Sequence, residues 1–269
     1  RRSKRPGVSG KLPRALRLEL ESRSCERTGK WAKAIEGYST LFRFYPDDVE
    51  HGLRLVRAQM EGGRIQNATE TIAELRKLPA LLSSDPRIDL AEARVAVRLG
   101  SFGHSLSVAS VAARKAEDRG VRTLGAEASL LIGRSLLETG QPGEARRILL
   151  SAKSVFLAVD DLGGVAGALK LLFACSFRLG NLEEMLTLAE SMLPIARSLE
   201  NRFTERVALT GIGGYHLLKG NLREAREYYE KTLSLDRDVE DRYGMAISLA
   251  NLGLVDSQMG EFPRARTAL

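Results

Sequence analysis

The sequence predicts an all-α protein, a right-handed superhelical solenoid of about seven helix-turn-helix units. The main observation is a series of glycines, of which the last five are spaced 40 residues apart: Gly29, Gly63, Gly100, Gly140, Gly180, Gly220 and Gly260. Leu, Ala, Arg and Glu dominate the composition, which favours helices, and no stretch of alternating β-branched residues indicates a strand. Self-similarity at a period of 20–50 residues is typical of repeat architectures.

The predicted solenoid covers residues 12–269. Residues 1–11 carry charge, Gly, Pro and Ser without apolar periodicity, which indicates a basic tail or linker. The seven units are expected near residues 14–48, 49–85, 86–122, 123–162, 163–202, 203–242 and 243–269, the last of them incomplete.

Helix boundaries follow from turn residues and apolar spacing. In the first unit we predict helices over 15–27 and 31–44, with a turn at Gly29 and an end before Pro46. Residues 79–86 are the least regular segment. Later helices are expected over 88–99, 103–118, 124–138, 143–157, 165–179, 182–199, 202–219, 222–235 and 243–259.

Composition narrows the class of protein. Hydrophobic residues make up 43% of the chain, and the net charge is +7 with a pI near 9.6. Two distant cysteines, Cys25 and Cys175, have no metal-binding spacing and indicate free thiols in a reducing compartment, the cytoplasm. No apolar run approaches the ~18 residues of a membrane span. The chain begins without Met and ends within a repeat, so we expect a fragment of a larger protein.

The repeat unit resembles the tetratricopeptide repeat (TPR) family, in a 40-residue variant. TGKWAKAIEGYSTLFRFYP carries the pattern of that family at Gly29, Trp31, Ala34, Tyr38, Leu41 and Pro46, and KGNLREAREYYEKTLSL and SLANLGLVDSQMGEFPRA match as well. Val56, Phe173 and Met185 depart from the pattern. LFRFYPDDVEHGLRL also resembles the C-terminal repeat regions of bacterial multidomain regulators, which contain a serine/threonine kinase or a winged-helix DNA-binding domain.

No catalytic or metal-binding motif is present. His51, His104 and His216 lie in different units, and none has an acid or nucleophile at a motif spacing. We therefore predict no enzyme activity, no cofactor and no metal.

The resemblance implies that the first helix of each unit lines a concave groove. Alignment on the glycines places nine residues there: Arg23, Arg54, Arg57, Arg94, Arg98, Arg134, Lys170, Arg178 and Asn251. Stacked arginines suit an acidic partner, since guanidinium groups bind carboxylates through paired hydrogen bonds. Internal pairing with Glu19, Glu50, Glu61 and Glu138 is the alternative, and both remain open. Asn251 resembles the asparagine that binds a peptide backbone in related arrays.

The predicted function is a non-catalytic protein–protein interaction module. It would bind a peptide or partner protein in its groove, as the sensing or scaffold part of a larger bacterial regulatory or signalling protein. The alternative is nucleic-acid binding through the basic groove and tail. Aromatic residues that could stack on bases are scarce in the groove, with Phe177 the main candidate, and this scarcity argues against that alternative. An apolar edge near Leu249, Leu252 and Phe262 would support self-association.

Overall fold

A computed structural model describes residues 13–261, so the predicted tail at 1–11 and the end of the last predicted unit, residues 262–269, lie outside the described residues. The described chain contains fourteen helices and no strand, which confirms the all-α fold of helical hairpins. The helices are α1 (Arg14–Arg27), α2 (Trp31–Phe44), α3 (Val49–Glu61), α4 (Ile65–Arg76), α5 (Ala80–Ser83), α6 (Pro86–Arg98), α7 (Phe102–Asp118), α8 (Arg122–Glu138), α9 (Pro142–Ala158), α10 (Leu162–Arg178), α11 (Leu182–Ser198), α12 (Arg202–Leu218), α13 (Leu222–Asp238) and α14 (Arg242–Gln258).

The helices pair as hairpins. We call the first helix of each hairpin the A helix (α1, α3, α6, α8, α10, α12 and α14) and the second the B helix (α2, α4, α7, α9, α11 and α13). The short helix α5 was not predicted. It lies in the segment 79–86, where Pro79 precedes the first turn and Asp85 caps α6 by accepting a hydrogen bond from the backbone N–H of Arg87.

The chain divides into two compact units, whose described parts are residues 13–115 and 116–261. The boundary falls inside α7 rather than between two predicted repeats. Unit 1 has helices of 12 to 14 residues apart from α5 and α7. Unit 2 contains α8 to α14, each 17 residues long.

The links of unit 2 repeat twice as often as the glycines do. Its helices begin at residues 122, 142, 162, 182, 202, 222 and 242, so that every link has three residues. Each glycine of the 40-residue series has a positive φ, and so do the residues midway between them: Gly120 (67°), Asp160 (54°), Glu200 (51°) and Glu240 (53°). The left-handed turn is therefore required at every link, although half of the later links carry an acidic residue there.

An Asx cap follows each of these acidic residues. The side chains of Asp161, Asn201 and Asp241 accept hydrogen bonds from backbone N–H groups in the first turns of α10, α12 and α14. Such caps contribute about 1 kcal/mol each. The turn and the cap together fix where each of these three A helices begins.

Small residues let the two helices of a hairpin approach closely. A Cβ at Gly133 on α8 would lie 2.6 Å from the Leu149 side chain on α9, and one at Gly213 on α12 would lie 2.9 Å from the Tyr229 ring on α13. The alanines that follow four of the turn glycines by five residues are fully buried: Ala34, Ala68, Ala145 and Ala225. The 40-residue glycine and alanine pattern therefore encodes helix packing as well as turns.

The expected apolar edge at the C-terminal end is wrong at Leu252. That side chain is buried in a cluster with Tyr229, Leu233 and Val255, and Leu249 is half-buried against the same cluster. The α13–α14 interface itself covers these leucines. Phe262 lies outside the described residues, and self-association stays a prediction.

The left-handed links predict stability changes of opposite sign. Gly180→Ala should lower the free energy of unfolding by about 1 kcal/mol, because strain of ~1–2 kcal/mol exceeds the entropic gain of ~0.4–1 kcal/mol from losing a glycine. Glu200→Gly should raise it by up to about 1 kcal/mol for the converse reason. Urea unfolding of the three proteins measures both changes.

Gly143→Ala is the matched control for this pair. Gly143 lies in the first turn of α9 without a positive φ, and no neighbouring atom lies within 4 Å of the position that an added methyl group would take. That substitution should stabilise the protein. Equal effects of the Gly180 and Gly143 substitutions would contradict the role of the left-handed turn.

Candidate partner-binding surface

In unit 1, the predicted arginines are paired with acids on the A helices. Arg23 pairs with Glu19 on α1 at 2.5 Å, and Arg54 pairs with Glu50 on α3 at 2.8 Å. Arg98 on α6 reaches Glu61 on α3 at 3.5 Å. Arg94 also lies on α6. Three of the acids named as internal partners in the sequence, Glu19, Glu50 and Glu61, therefore pair within unit 1.

Arg57 and the buried Tyr38 both contact the carboxylate of Glu26. The Arg57 guanidinium lies 3.1 Å from Glu26 on α1, and Glu26 also accepts a hydrogen bond of 2.9 Å from the Tyr38 hydroxyl. Burial, with this hydrogen bond, raises the pKa of Tyr38 to about 12. Exposed ion pairs contribute about 0–1 kcal/mol, so the outer part of this network is weak enough for a ligand to replace.

In unit 2, two predicted arginines share one acid. Arg134 donates to Glu138 on α8 at 2.9 Å, and Arg178 on α10 lies 3.6 Å from the other oxygen of the same carboxylate. Arg178 also donates a long hydrogen bond of 3.5 Å to the Leu137 carbonyl. The basic charge at α8 and α10 is thus only partly neutralised by Glu138.

Lys170 differs from these arginines. It lies half-buried in the middle of α10, and its ammonium group sits 5.4 Å from the centre of the Phe203 ring on α12. Among the described residues no carboxylate pairs with it. Burial, with the nearby Arg134 charge, lowers the pKa of Lys170. The Arg206 guanidinium approaches the same ring at 5.1 Å, but Arg206 is paired with the buried Asp236.

Apolar side chains stand exposed on the same side of the A helices. We call this side of α8, α10, α12 and α14 the A-helix face of unit 2. At 100° per residue its exposed members fall on one side of α10, α12 and α14. They are Phe177 (61% exposed), Phe203 (57%), Leu218 (58%), Tyr243 (74%) and Leu254 (49%).

Two of these residues were missed in the sequence analysis. Phe203 and Tyr243 each occupy the second position of an A helix, 40 residues apart, in the contexts NRF and DRY. Because they lie outside the column aligned on the arginines, only a search for aromatic residues at the 40-residue period would have found them. Their exposure means that aromatics are less scarce on this surface than predicted.

Asn251 lies half-buried on α14. Asn251 occupies the same position of α14 as Gly211, forty residues earlier, does of α12. A Cβ added at Gly211 would lie 2.6 Å from the Phe173 ring of α10. Asn251 thus belongs to the flank of its helix rather than to the exposed stripe. No hydrogen bond of its side chain is present within residues 13–261.

Other chemistry is limited in the part of the chain that the structure describes. No cluster of three or more His, Cys, Asp or Glu there has a metal-binding arrangement. Cys25 and Cys175 are free, and burial raises the pKa of the Cys175 thiol to about 11. His104 contacts Glu92 at 2.8 Å, and His216 stacks on Tyr228. None of the described helices is both long and apolar enough to cross a membrane.

Comparison with known proteins identifies the class. A family model described as tetratricopeptide repeat matches residues 204–269. The resemblance to that family is confirmed, and the described chain is a TPR-like array of helical hairpins. No curated protein matches the sequence.

Three solved structures share this fold at low sequence identity. The apo form of RapI aligns with a TM-score of 0.71 at 13% identity, over 95% of this chain and 74% of RapI. NprR in complex with its cognate peptide NprX gives 0.65 at 16% identity, over 96% and 77%. A signal-transduction ATPase with a TPR sensor from Pyrococcus horikoshii gives 0.66 at 17% identity, over 87% of this chain but only 38% of its own.

The position of Lys170 predicts that its replacement by an uncharged residue raises the free energy of unfolding in a pH-dependent way. A lysine with a lowered folded-state pKa destabilises the fold while charged, and this cost declines as the pH rises above that pKa and is lost above the ordinary lysine pKa. Lys170→Met should therefore raise the free energy of unfolding in urea at pH 7, by less than about 1 kcal/mol in a partly solvated site. Its advantage over the wild type should shrink towards pH 10.

Lys231→Met provides the control. Lys231 is an exposed lysine of α13 that also lies over an aromatic ring, at 4.6 Å from the centre of Tyr228. Its substitution removes the same charge and is not expected to raise the free energy of unfolding. If Lys170→Met were less stable than the wild type at pH 7, the charge of Lys170 would not destabilise the fold.

Proposed function

We propose that this chain is a non-catalytic protein–protein interaction module whose A-helix face holds a peptide or a segment of a partner protein. In this proposal it is the sensing or scaffold part of a larger bacterial regulatory or signalling protein and works in the cytoplasm. The nine predicted groove residues contribute to binding, those of unit 1 through arginines that exchange their internal acids for acids of the partner.

The exposed apolar stripe of unit 2 is the observation that carries this proposal. Five large apolar side chains on three successive A helices remain in contact with water, while the apolar side chains on the opposite sides of those helices are buried. Phe203 and Tyr243 occupy the same position of two successive A helices, and exposed apolar surface of this kind is typical of protein-binding sites. Phe203 and Tyr243 are also of the residue kinds that dominate binding energy at interfaces.

The structural relatives support the same kind of function. NprR is a protein of this fold crystallised with its cognate peptide, and the archaeal ATPase has a TPR sensor. At 16% and 17% identity these likenesses establish the fold. They make a peptide the first ligand class to test.

The first test removes the aromatic stripe. We expect a random 12-residue peptide library displayed on phage to yield enriched peptides on the wild-type chain. The double variant Phe203→Ser, Tyr243→Ser should bind those peptides at least about 30-fold more weakly, since hot-spot truncations cost about 2 kcal/mol or more. Titration of synthetic versions of the peptides measures the loss.

A double variant on the B helices is the matched control. Leu150 and Leu157 are exposed on α9, 37% and 52% respectively. The variant Leu150→Ser, Leu157→Ser removes two exposed apolar side chains from a B helix and should retain peptide affinity. Equal binding by all three proteins, or no enrichment on the wild type, would contradict the proposal.

Nucleic-acid binding is the second candidate. Phe177, Phe203 and Tyr243 are exposed and could stack on bases, and the chain carries a net charge of +7. The internal acids argue against it, because carboxylates lie against the arginines that would contact phosphates. These acids are Glu19, Glu26, Glu50, Glu61 and Glu138.

A salt titration separates the two candidates. We expect binding of random-sequence single-stranded and double-stranded DNA to be weaker than about 10⁻⁴ M near physiological salt, the weak end of non-specific affinity. Peptide binding should fall much less steeply over the same salt range, because it neutralises fewer charges than a DNA backbone does. Tight DNA binding with a steep salt dependence would favour the nucleic-acid function instead.

A further inference from the structure

We propose that the ligand of unit 2 is a peptide that places one carboxylate at Lys170 and extends apolar side chains from there across α12 and α14. This inference rests on the proposed peptide-binding function and specifies the chemistry and the polarity of its ligand. It assigns Lys170 as the residue that recognises the anionic end. Phe203 and Tyr243 then contact the apolar part.

Lys170 lacks a counter-charge. Six other basic groove candidates each have a carboxylate within 4 Å: Arg23, Arg54, Arg57, Arg98, Arg134 and Arg178. Lys170 has an aromatic ring and a second cation near it instead, and no carboxylate partner among the described residues. An anion from outside would supply the missing partner.

Acids are scarce along the A helices α10, α12 and α14. Helix α10 contains no Asp or Glu between its first and last residues, α12 contains only Glu205, and α14 contains only Asp256. Glu205 is buried against Arg197 and Arg202, and Asp256 is buried beside Arg226. No acid of these three helices is therefore available on their exposed stripe to neutralise Lys170 or to repel a carboxylate.

The face changes in character from α8 and α10 to α12 and α14. The basic candidates Arg134, Lys170 and Arg178 lie on α8 and α10, whereas Arg202 and Arg206 of α12 are paired with Glu205 and Asp236. Most of the large exposed apolar side chains lie on α12 and α14, namely Phe203, Leu218, Tyr243 and Leu254, with Phe177 on α10. A ligand that matches this gradient is anionic at one end and apolar along the rest.

A carboxylate fits Lys170 better than a phosphate does. The group without a partner is a single ammonium beside an apolar ring, and a carboxylate costs less to desolvate there than a phosphate of about −2 charge. Phosphate recognition also favours the forked guanidinium group, and the neighbouring Arg134 is engaged with Glu138. The carboxylate can belong to an acidic side chain or to a free peptide C-terminus.

The energetic state of Lys170 agrees with this role. The lowered pKa of Lys170 reflects a charge that is partly desolvated and placed near another cation. A bound carboxylate offsets both unfavourable effects, so the ligand gains binding energy that the free protein lacks. Groups that cost stability in the free protein are typical of functional sites.

The test starts from peptides enriched on the wild-type chain from the random 12-residue phage library. Each selected peptide is synthesised in its parent form, with Glu or Asp changed to Gln or Asn, and with the C-terminus amidated. Binding of each form is measured on the wild type, on Lys170→Met and on the control Lys231→Met. The two chemical changes distinguish a side-chain carboxylate from a terminal one.

We expect Lys170→Met to bind the parent peptide about tenfold more weakly, the equivalent of one neutralised, partly buried charge pair. One of the two neutralising changes in the peptide should weaken its binding to the wild type by a similar factor. The same change should weaken its binding to Lys170→Met by less than about twofold. Lys231→Met should behave like the wild type. This pattern isolates the pairing of the two charges.

Two results overturn the inference. Selected peptides that lose affinity in the Phe203→Ser, Tyr243→Ser variant but bind Lys170→Met as tightly as the wild type would leave the peptide function standing and remove Lys170 from it. Phosphorylated or neutral peptides that bind better than the acidic parents would also leave the peptide function standing and would overturn the carboxylate as the group that Lys170 recognises. Failure to enrich any peptide through the aromatic stripe would instead remove the proposed function, and the inference with it.

Discussion

The left-handed residue in each three-residue link is the constraint on which unit 2 depends. It reverses the chain within a very short link, so that the helices share one length and begin at equal intervals from α8 to α14. With start points fixed by these turns and by the Asx caps, every side chain has a defined register across the stack. Surface features such as the apolar stripe exist only because that register is kept from α8 to α14.

Much of this arrangement was predictable from the sequence. Glycine is the usual residue at positive φ, and the series from Gly29 to Gly260 therefore located one turn of each hairpin and placed most helix ends within a few residues. The intervening turns were harder, since Asp160, Glu200 and Glu240 adopt the same conformation without the residue type that usually indicates it. Helix α5 was missed because four residues are too few for any periodicity.

The candidate site was predictable in position but not in energetics. Alignment on the glycines placed Arg57, Arg134 and Lys170 on A helices, as the structure does. The sequence could not decide which of them would meet an acid, because pairs such as Arg57 with Glu26 join residues of different helices. Whether any of the nine residues touches a partner stays a prediction. The structure changes the emphasis from the number of arginines to the one lysine of the nine that has no carboxylate partner among the described residues.

The equal spacing of helices in unit 2 has a further consequence for how such arrays change length. Removing one whole hairpin leaves every remaining helix in its original role, since A helices still follow B helices and all links keep their length. Removing a single helix with its link would instead exchange the roles of all later helices and turn their apolar stripes to the opposite side. Recombination within such a chain therefore preserves its binding side only in steps of two helices, and the exposed stripe can be lengthened or shortened by whole hairpins.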